Sequence, residues 1–486
     1  MKIKISDLMA ESGVGFGTSG ARGLVKQMTD KICYAYTLAF IKHCEKEYQT
    51  KKILAIAGDL RPSTDRILKA VAMASKTASW KLLYCGKIPS PAIAFFGIEN
   101  KIPTVMVTGS HIPDDRNGIK FNHHLGEITK KDETLIKNTE IELDENLFDS
   151  NGFLKETVEL PETETSAKTN YENRYKDFFG AKALTGFSLG VYEHSAVGRD
   201  IVVSVLESLG AKVTRLARSE KFIPVDTEAI RKEDEALASE WSKLGFHAIV
   251  STDGDSDRPL LADEHGSWLR GDVLGILAAK SLGIHSVATP VSCNSALEKS
   301  HFFEKIYRTR IGSPYVIEGM ESLKEQGKNI AGYEANGGFL LGTDLTQNGK
   351  TLKALATRDA LLPIIATLLL SKKEQKTISE LLQELPARFS ASDRLKEFPT
   401  AKSLTKIQEI KTEHAETELF GALSGDFIEA NETDGYRMTF ASGEIIHLRP
   451  SGNAPELRCY VETASKERSE TLLKNCLSIM NTWRED

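Results

Sequence analysis

The chain has 486 residues, of which 41% are hydrophobic and 27% charged; at about 100–200 residues per domain it suffices for roughly three to four domains. Those fractions exclude wholesale disorder, collagen and coiled coil. Lys+Arg (62) against Asp+Glu (68) leaves a formal charge of -6, the wrong sign for a general nucleic-acid or acidic-membrane binder, so any anionic ligand must be met by a few converging cations.

In chain order, strand-like runs alternate with helix-like ones. The opening MKIKISDLMAESGVGFG has no apolar h-region and does not read as a secretory signal. Ile53–Ala57 is followed by the turn GDLRPST and by DRILKAVAMASKTASW, whose apolar residues recur at helical spacing. Pro103–Val107 leads into a Gly/Pro-rich loop, Phe187–Tyr192 precedes the helical GRDIVVSVLESLG, and His247–Val250 precedes an aspartate-rich loop. Such units predict α/β domains with largely parallel sheets, whose ligands gather at the carboxyl ends of the strands. Ala360–Leu370 is the most lipid-like stretch, but it contains Pro363 and falls far short of the ~20 residues of a membrane helix. After residue 376 the pattern changes to short strands (YRMTF, EIIHLR, LRCYVE) and a closing helix, a small α+β domain. The predicted domains are 1–160, 161–262, 263–372 and 373–486, with the polar stretch 150–170 as a linker or surface excursion. Six scattered cysteines without a CxxC predict reduced, buried thiols in a cytoplasmic protein.

Five loops carry candidate chemistry. Thr108–Lys120 presents Ser110 beside His111, with Lys120 beyond an Asn-Gly turn that folds it back; a serine nucleophile needs such help, although alone the loop reads better as a surface turn. Asp253, Asp255 and Asp257 crowd three carboxylates that a hard divalent ion, Mg²⁺ or Ca²⁺, would relieve, and Arg258 adds an anion-seeking group. An EF-hand is rejected, because Arg258 stands where its glycine belongs and the flanks read as strands. Glu334 and Asn336 on a glycine-bounded loop suit adjacent sugar hydroxyls, or mark a plain Asn-Gly turn. Arg449 and Arg458 around Ser451-Gly452-Asn453 form either an anion-binding nest or a turn with surface arginines; spacing favours neither. Gly15–Gly20 matches GxGxxG but no strand precedes it and Phe40 occupies the acidic position, so a dinucleotide site is rejected. What remains is a loop with Thr18, Ser19 and Arg22 suited to phosphate.

Together, FGTSGARG (16–23), TGSHIPDDRNGIK (108–120), DGDSDR (253–258), GYEANGG (332–338) and RPSGNAPELR (449–458) resemble, in order and over nearly the whole chain, the signatures of the α-D-phosphohexomutase superfamily. The resemblance implies three similar α/β domains and a smaller C-terminal α+β domain around one cleft. It implies a phosphorylated Ser110 and one Mg²⁺ held by Asp253, Asp255, Asp257 and the phosphoserine. The reaction would interconvert hexose 1- and 6-phosphates through a hexose 1,6-bisphosphate. Lys120 would exchange protons with its pKa lowered by neighbouring cations, and Arg22, His111 and Arg61 would support the transfer. Arg258, Arg310, Glu334, Asn336, Arg449, Ser451, Gly452, Asn453 and Arg458 would bind substrate. Mannose phosphates are the expected substrates, with glucose or glucosamine phosphates as alternatives; Glu334-Ala-Asn336-Gly-Gly338 departs from the commoner Glu-x-Ser-Gly-His. A sugar-phosphate-binding protein without turnover would need neither Ser110 nor three aspartates, and a metal-dependent phosphatase would need no second phosphate loop. The expected partner is a phosphosugar, not nucleic acid or membrane, and the chain would act as a monomer or homodimer.

Overall fold

The computed structural model describes residues 2–17, 20–48, 50–156, 158–325, 327–452 and 455–484. Its first three large sheets repeat one plan. In the first, Lys81–Lys87, Ile53–Gly58 and Thr104–Val107 run parallel, and Arg116–His123 returns antiparallel beside the last of them. In the second, the parallel trio is Lys212–Arg218, Ser188–His194 and Ala248–Thr252, and Pro259–Ala262 returns. In the third, it is Lys305–Thr309, Ser286–Pro290 and Ile330–Tyr333, and Phe339–Leu341 returns. Each time the last parallel strand therefore ends in a hairpin loop at the sheet's carboxyl edge, where ligands of open α/β sheets gather.

Three of the five sequence motifs are these hairpin loops. The serine motif joins Val107 to its partner Ile119, the aspartate motif joins Thr252 to Pro259, and the GYEANGG motif joins Tyr333 to Phe339. The fourth sheet is fully antiparallel, in the order Phe389–Lys396, Glu456–Thr463, Ile445–Pro450, Tyr436–Phe440, Phe427–Asn431. Its double-arginine motif is again a hairpin, with Arg449 and Arg458 paired across the two strands. The GxGxxG segment is a strand hairpin, Gly15–Phe16 and Gly20–Leu24, rather than a strand leading into a helix. Gly20 is required there, because a Cβ would lie 2.0 Å from the carbonyl oxygen of Ile119 in the neighbouring strand.

The helices follow their apolar spacing. Lys466–Thr482 starts where the Ser465 side chain accepts the N–H of Arg468, and it buries Ser469, Leu472, Cys476 and Met480 along one face. Truncating one such buried leucine costs about 2–5 kcal/mol. Leu361–Glu374 is apolar nearly all round because it is buried in the core; among the described residues no helix is long and apolar enough to cross a membrane. One continuous core joins the second and third sheets to one face of the first, whereas the C-terminal sheet packs only its own residues, 395–483. The polar stretch 150–170 is more attached than a linker: Val158 and Leu160 pack on a separate core on the other face of the first sheet, and Thr163 bridges to Tyr84. All six cysteines are free and buried.

Candidate active site

The serine loop is held open by its own side chains. Thr108 Oγ1 accepts the Ser110 N–H at 2.8 Å, and Ser110 adopts the left-handed region at φ 56°, rare for a residue with a Cβ. That backbone turn aims the buried hydroxyl at the neighbouring sheet, where Ser110 Oγ donates to Asp253 Oδ2 at 2.6 Å. The two loops pack so closely that a Cβ on Gly254 would lie 2.6 Å from the Ser110 carbonyl oxygen. The side chain of Asp253 also organises its own loop, its Oδ1 accepting the N–H groups of Asp257 and Arg258. Burial, then repulsion from Asp255 and Asp257, pushes the Asp253 carboxyl well above the usual range, as the crowding of three carboxylates requires.

Lys120 reaches this cluster by strand pairing. Asn117 and Gly118 are not a turn but part of the returning strand Arg116–His123, whose register sets Lys120 opposite Met106. Its ammonium lies 2.6 Å from Oδ2 of both Asp255 and Asp257. Burial opposes the charge, but the two carboxylates outweigh it and raise the Lys120 pKa above its ordinary value. The lowered pKa expected for this lysine is corrected accordingly. His111 behaves oppositely: burial, Arg258 and Arg22 push it well below the usual range, leaving a neutral ring with Nδ1 3.3 Å from Ser110 Oγ.

A cavity of about 220 Å³ unites the motifs, its walls including Ser110, Lys120, Glu334, Asn336, Arg449 and Arg458. Arg22, His111 and Arg258 also face it. Its lining carries six Lys/Arg side chains against two carboxylates on a chain of net charge -6, the local convergence of cations that an anionic ligand demands. Arg22 shows their mutual repulsion: burial and then Arg258 lower its pKa to about 10. Asn336 reaches the cavity while its Oδ1 accepts the Gly338 N–H and caps its own loop.

Some expected residues are placed elsewhere. Arg61 does not line the cavity; its guanidinium donates to the carbonyl oxygens of Ser110, Ile112, Pro113 and Arg116 and pairs with Asp59. It therefore positions the serine loop from behind. Arg310 is exposed and binds the Thr433 carbonyl oxygen of the C-terminal sheet, while the adjacent Ile311 and Gly312 face the cavity. Ser451 is buried with its N–H on the Glu456 carbonyl oxygen, and Gly452 is exposed in open space; neither lines the cavity. Thr18, Ser19 and Asn453 lie outside the described residues.

Three residues with no sequence signal, Arg358, Glu127 and Ser90, complete the polar network. Buried Arg358 sits 3.2 Å from Asp257 and 3.6 Å from Glu334, tying the aspartate loop to the Glu334 loop. Glu127 receives hydroxyl hydrogen bonds from Ser313 and Thr357, joining the first sheet to the third. Ser90 donates to Asp255 at 2.5 Å. None lies in a motif; each is an ordinary residue that becomes polar machinery only after the sheets assemble.

The aspartate trio fits a hard divalent cation. Asp253, Asp255 and Asp257 are buried and offer ligand oxygens all within 4.8 Å of one another, and Oδ1 of Asp255 and of Asp257 has no hydrogen-bond partner among the described residues. Buried orphan carboxylate oxygens on three converging aspartates are the donor set Mg²⁺ prefers.

Comparisons with known proteins agree with this geometry. The chain matches the family models described as phosphoglucomutase/phosphomannomutase alpha/beta/alpha domain I over residues 13–146, alpha/beta/alpha domain III over 270–389, and C-terminal domain over 382–476. It is 45% identical to a phosphomannomutase of Salmonella muenchen over 97% of this chain and 96% of that protein. It is 38% identical to a phosphomannomutase of Sinorhizobium fredii over 97% and 99%, respectively. In three dimensions it is similar to a phosphoglucomutase/phosphomannomutase family protein of Burkholderia thailandensis, at TM-score 0.71 and 17% identity, covering 99% of this chain and 98% of that one.

Proposed function

The chain belongs to the phosphoglucomutase/phosphomannomutase family and is a phosphohexomutase, an intramolecular phosphotransferase, and from that premise we propose that it interconverts mannose 1-phosphate and mannose 6-phosphate with Ser110 as phosphoryl carrier. One observation carries the reading: a single cavity is lined by Ser110, Lys120, Glu334, Arg449 and Arg458, contributed by the first, third and fourth sheets. Mannose is favoured by the two phosphomannomutase relatives, each matched over nearly its whole length. The four sheets are read as four domains, 1–160, 161–262, 263–372 and 373–486.

In this reading phosphorylated Ser110 gives its phosphoryl group to the free hydroxyl of a hexose monophosphate. The P–Oγ bond breaks as the new P–O bond forms, and the product is the hexose 1,6-bisphosphate. Protonated Lys120 enters as the acid: Nζ gives its proton to Ser110 Oγ and is restored by the proton of the attacking hydroxyl. The bisphosphate turns over in the cavity and returns its other phosphoryl group to Ser110. Asp253, Asp255 and Asp257, with phosphorylated Ser110, would hold one Mg²⁺ per chain, whose charge offsets that of the transferring group. Arg22 and Arg258 add to that neutralisation, Glu334 and Asn336 meet the sugar hydroxyls, and Arg449 and Arg458 hold the phosphate that does not react.

The test is a coupled mutase assay with Mg²⁺ on mannose, glucose, glucosamine and N-acetylglucosamine phosphates, beside intact-mass detection of one phosphoryl group on the chain. Mannose should give the highest kcat/KM; another sugar ahead of it would overturn the substrate assignment. Arg449→Ala or Arg458→Ala should raise KM roughly 10- to 100-fold, the loss of a charged hydrogen bond.

A further inference from the structure

The seam between the third sheet and the C-terminal sheet opens into a second cavity, of about 390 Å³, which shares no lining residue with the cleft. Its volume lies in the range of small-molecule sites. One wall comes from the chain around Ser295, Lys299 and Arg308, the other from Arg388 and the strands carrying Asn431, Arg437 and Ile445. Four cationic side chains line it, Lys299, Arg308, Arg388 and Arg437, against the single carboxylate of Glu298.

Two of those cations are already neutralised. Arg308 grips Glu298 through Nε and Nη2 at 2.7 Å each and donates to the carbonyl oxygens of Pro290, Cys293 and Asn294. Arg388 pairs with Glu462 at 2.5 Å and donates to the Gly443 carbonyl oxygen. Arg437 is different. It lies half-buried on the strand next to the sheet's edge, facing Asn431 and His447 in register, and among the described residues its guanidinium has no hydrogen bond or ion pair. Burial, then the charge of Arg308, lowers its pKa, because the nearest carboxylates, Glu298 and Glu462, are already engaged by Arg308 and Arg388. Lys299 stands exposed at the rim and is likewise without a partner among the described residues.

We propose that this cavity is a second, non-catalytic anion site, which takes the phosphoryl group of a small phosphate ester on the fork of Arg437, with Lys299 at the mouth and Asn431 as a further donor. A guanidinium fork matches two phosphate oxygens, and the walls Val291 and Ile445 offer apolar surface to the organic part of the ester. Because its walls come from both sheets, an occupant bridges the element carrying Glu334 to the element carrying Arg449. The site does not depend on the substrate assigned to the cleft.

Pyrophosphate in metal-free buffer is the probe, read by thermal unfolding with sodium chloride at matched ionic strength as control. The full chain with Arg449→Ala and Arg458→Ala loses two of the six cleft cations, which weakens anion binding there, so the dependence on Arg437 reads the second cavity. Pyrophosphate should still raise its unfolding midpoint in a saturable way, and adding Arg437→Gln should weaken that binding by about tenfold or more. Equal affinity with and without Arg437, or no pyrophosphate binding in the double variant, overturns the proposal. Should Arg437→Gln not fold, Arg437→Lys and Lys299→Gln replace it; each should weaken binding several-fold, and unchanged affinity in both has the same consequence.

Discussion

Ser110 Oγ and Asp253 Oδ2 lie 2.6 Å apart although 143 residues separate them in the chain. The contact exists because two hairpin loops, at the carboxyl edges of two different sheets, face each other across one seam. A nucleophile and a carboxylate cluster are thereby fixed by backbone rather than by flexible side chains, the condition for catalysis by positioning.

Ser110→Ala should reduce mutase turnover to background, at least about 10⁴-fold, as removal of a covalent nucleophile does. The fold should survive, because only the side-chain hydrogen bonds to Asp253 and His111 are lost, about 1 kcal/mol each. Retention of turnover with an unphosphorylated chain in the mass spectrum would refute the carrier role.

Lys120→Ala removes the ammonium that satisfies Asp255 and Asp257 in a buried site. In metal-free buffer the variant should lose about 3–5 kcal/mol of stability, the cost of an uncompensated buried charge. Mg²⁺ should then raise its unfolding midpoint more than that of the parent protein, while kcat falls about 10²–10⁴-fold. A variant as stable as the parent without metal would show that the ion pairs do not hold the aspartate loop.

Arg358→Gln tests the residue that no motif announced. It pairs with Asp257 and Glu334, so its loss should destabilise the protein by about 3 kcal/mol and raise KM by loosening the Glu334 loop. Arg358→Lys should recover stability only partly, since a single ammonium cannot span both carboxylates. Full rescue by lysine would argue for charge alone.

Stability should fall in mild acid. Burial is the first cause that holds His123, His194 and His447 at about 4. The unfolded imidazoles take up protons near pH 6.5. Folded pKa values below unfolded ones mean that the contribution is complete above about pH 6.5 and is lost as pH falls toward 4, on the order of 3 kcal/mol per histidine. Denaturant midpoints between pH 7.5 and 4.5 measure this, and His447→Gln, which keeps a donor for the Asp434 carbonyl oxygen, should flatten the slope. A slope identical to the parent's would exclude His447 as a contributor.

Local order was written in the residues themselves. The alternation of apolar runs and glycine-rich loops fixed the strands and helices, and with them the position of Ser110, the aspartates and the arginines at strand ends, because backbone hydrogen bonding and apolar burial act over a few residues. Rejection of a dinucleotide loop at Gly15–Gly20 also needed no more than that, and the hairpin there agrees. Lys120 was placed near Ser110 for the wrong reason: an Asn-Gly pair reads as a turn, yet strand pairing with Gly20 and Met106 holds it extended.

Everything that depends on contact between sheets was decided by the tertiary structure. The raised rather than lowered pKa of Lys120, the retreat of Arg61 behind the serine loop, the binding of Arg310 to Thr433 and the bridge made by Arg358 all involve partners far away in the chain. Electrostatic energies depend on distance and burial in space, and neither is encoded in the spacing of residues along a chain. The sequence by itself determined which chemistry each loop offers; the packing of four sheets determined which loops meet and in what charge state.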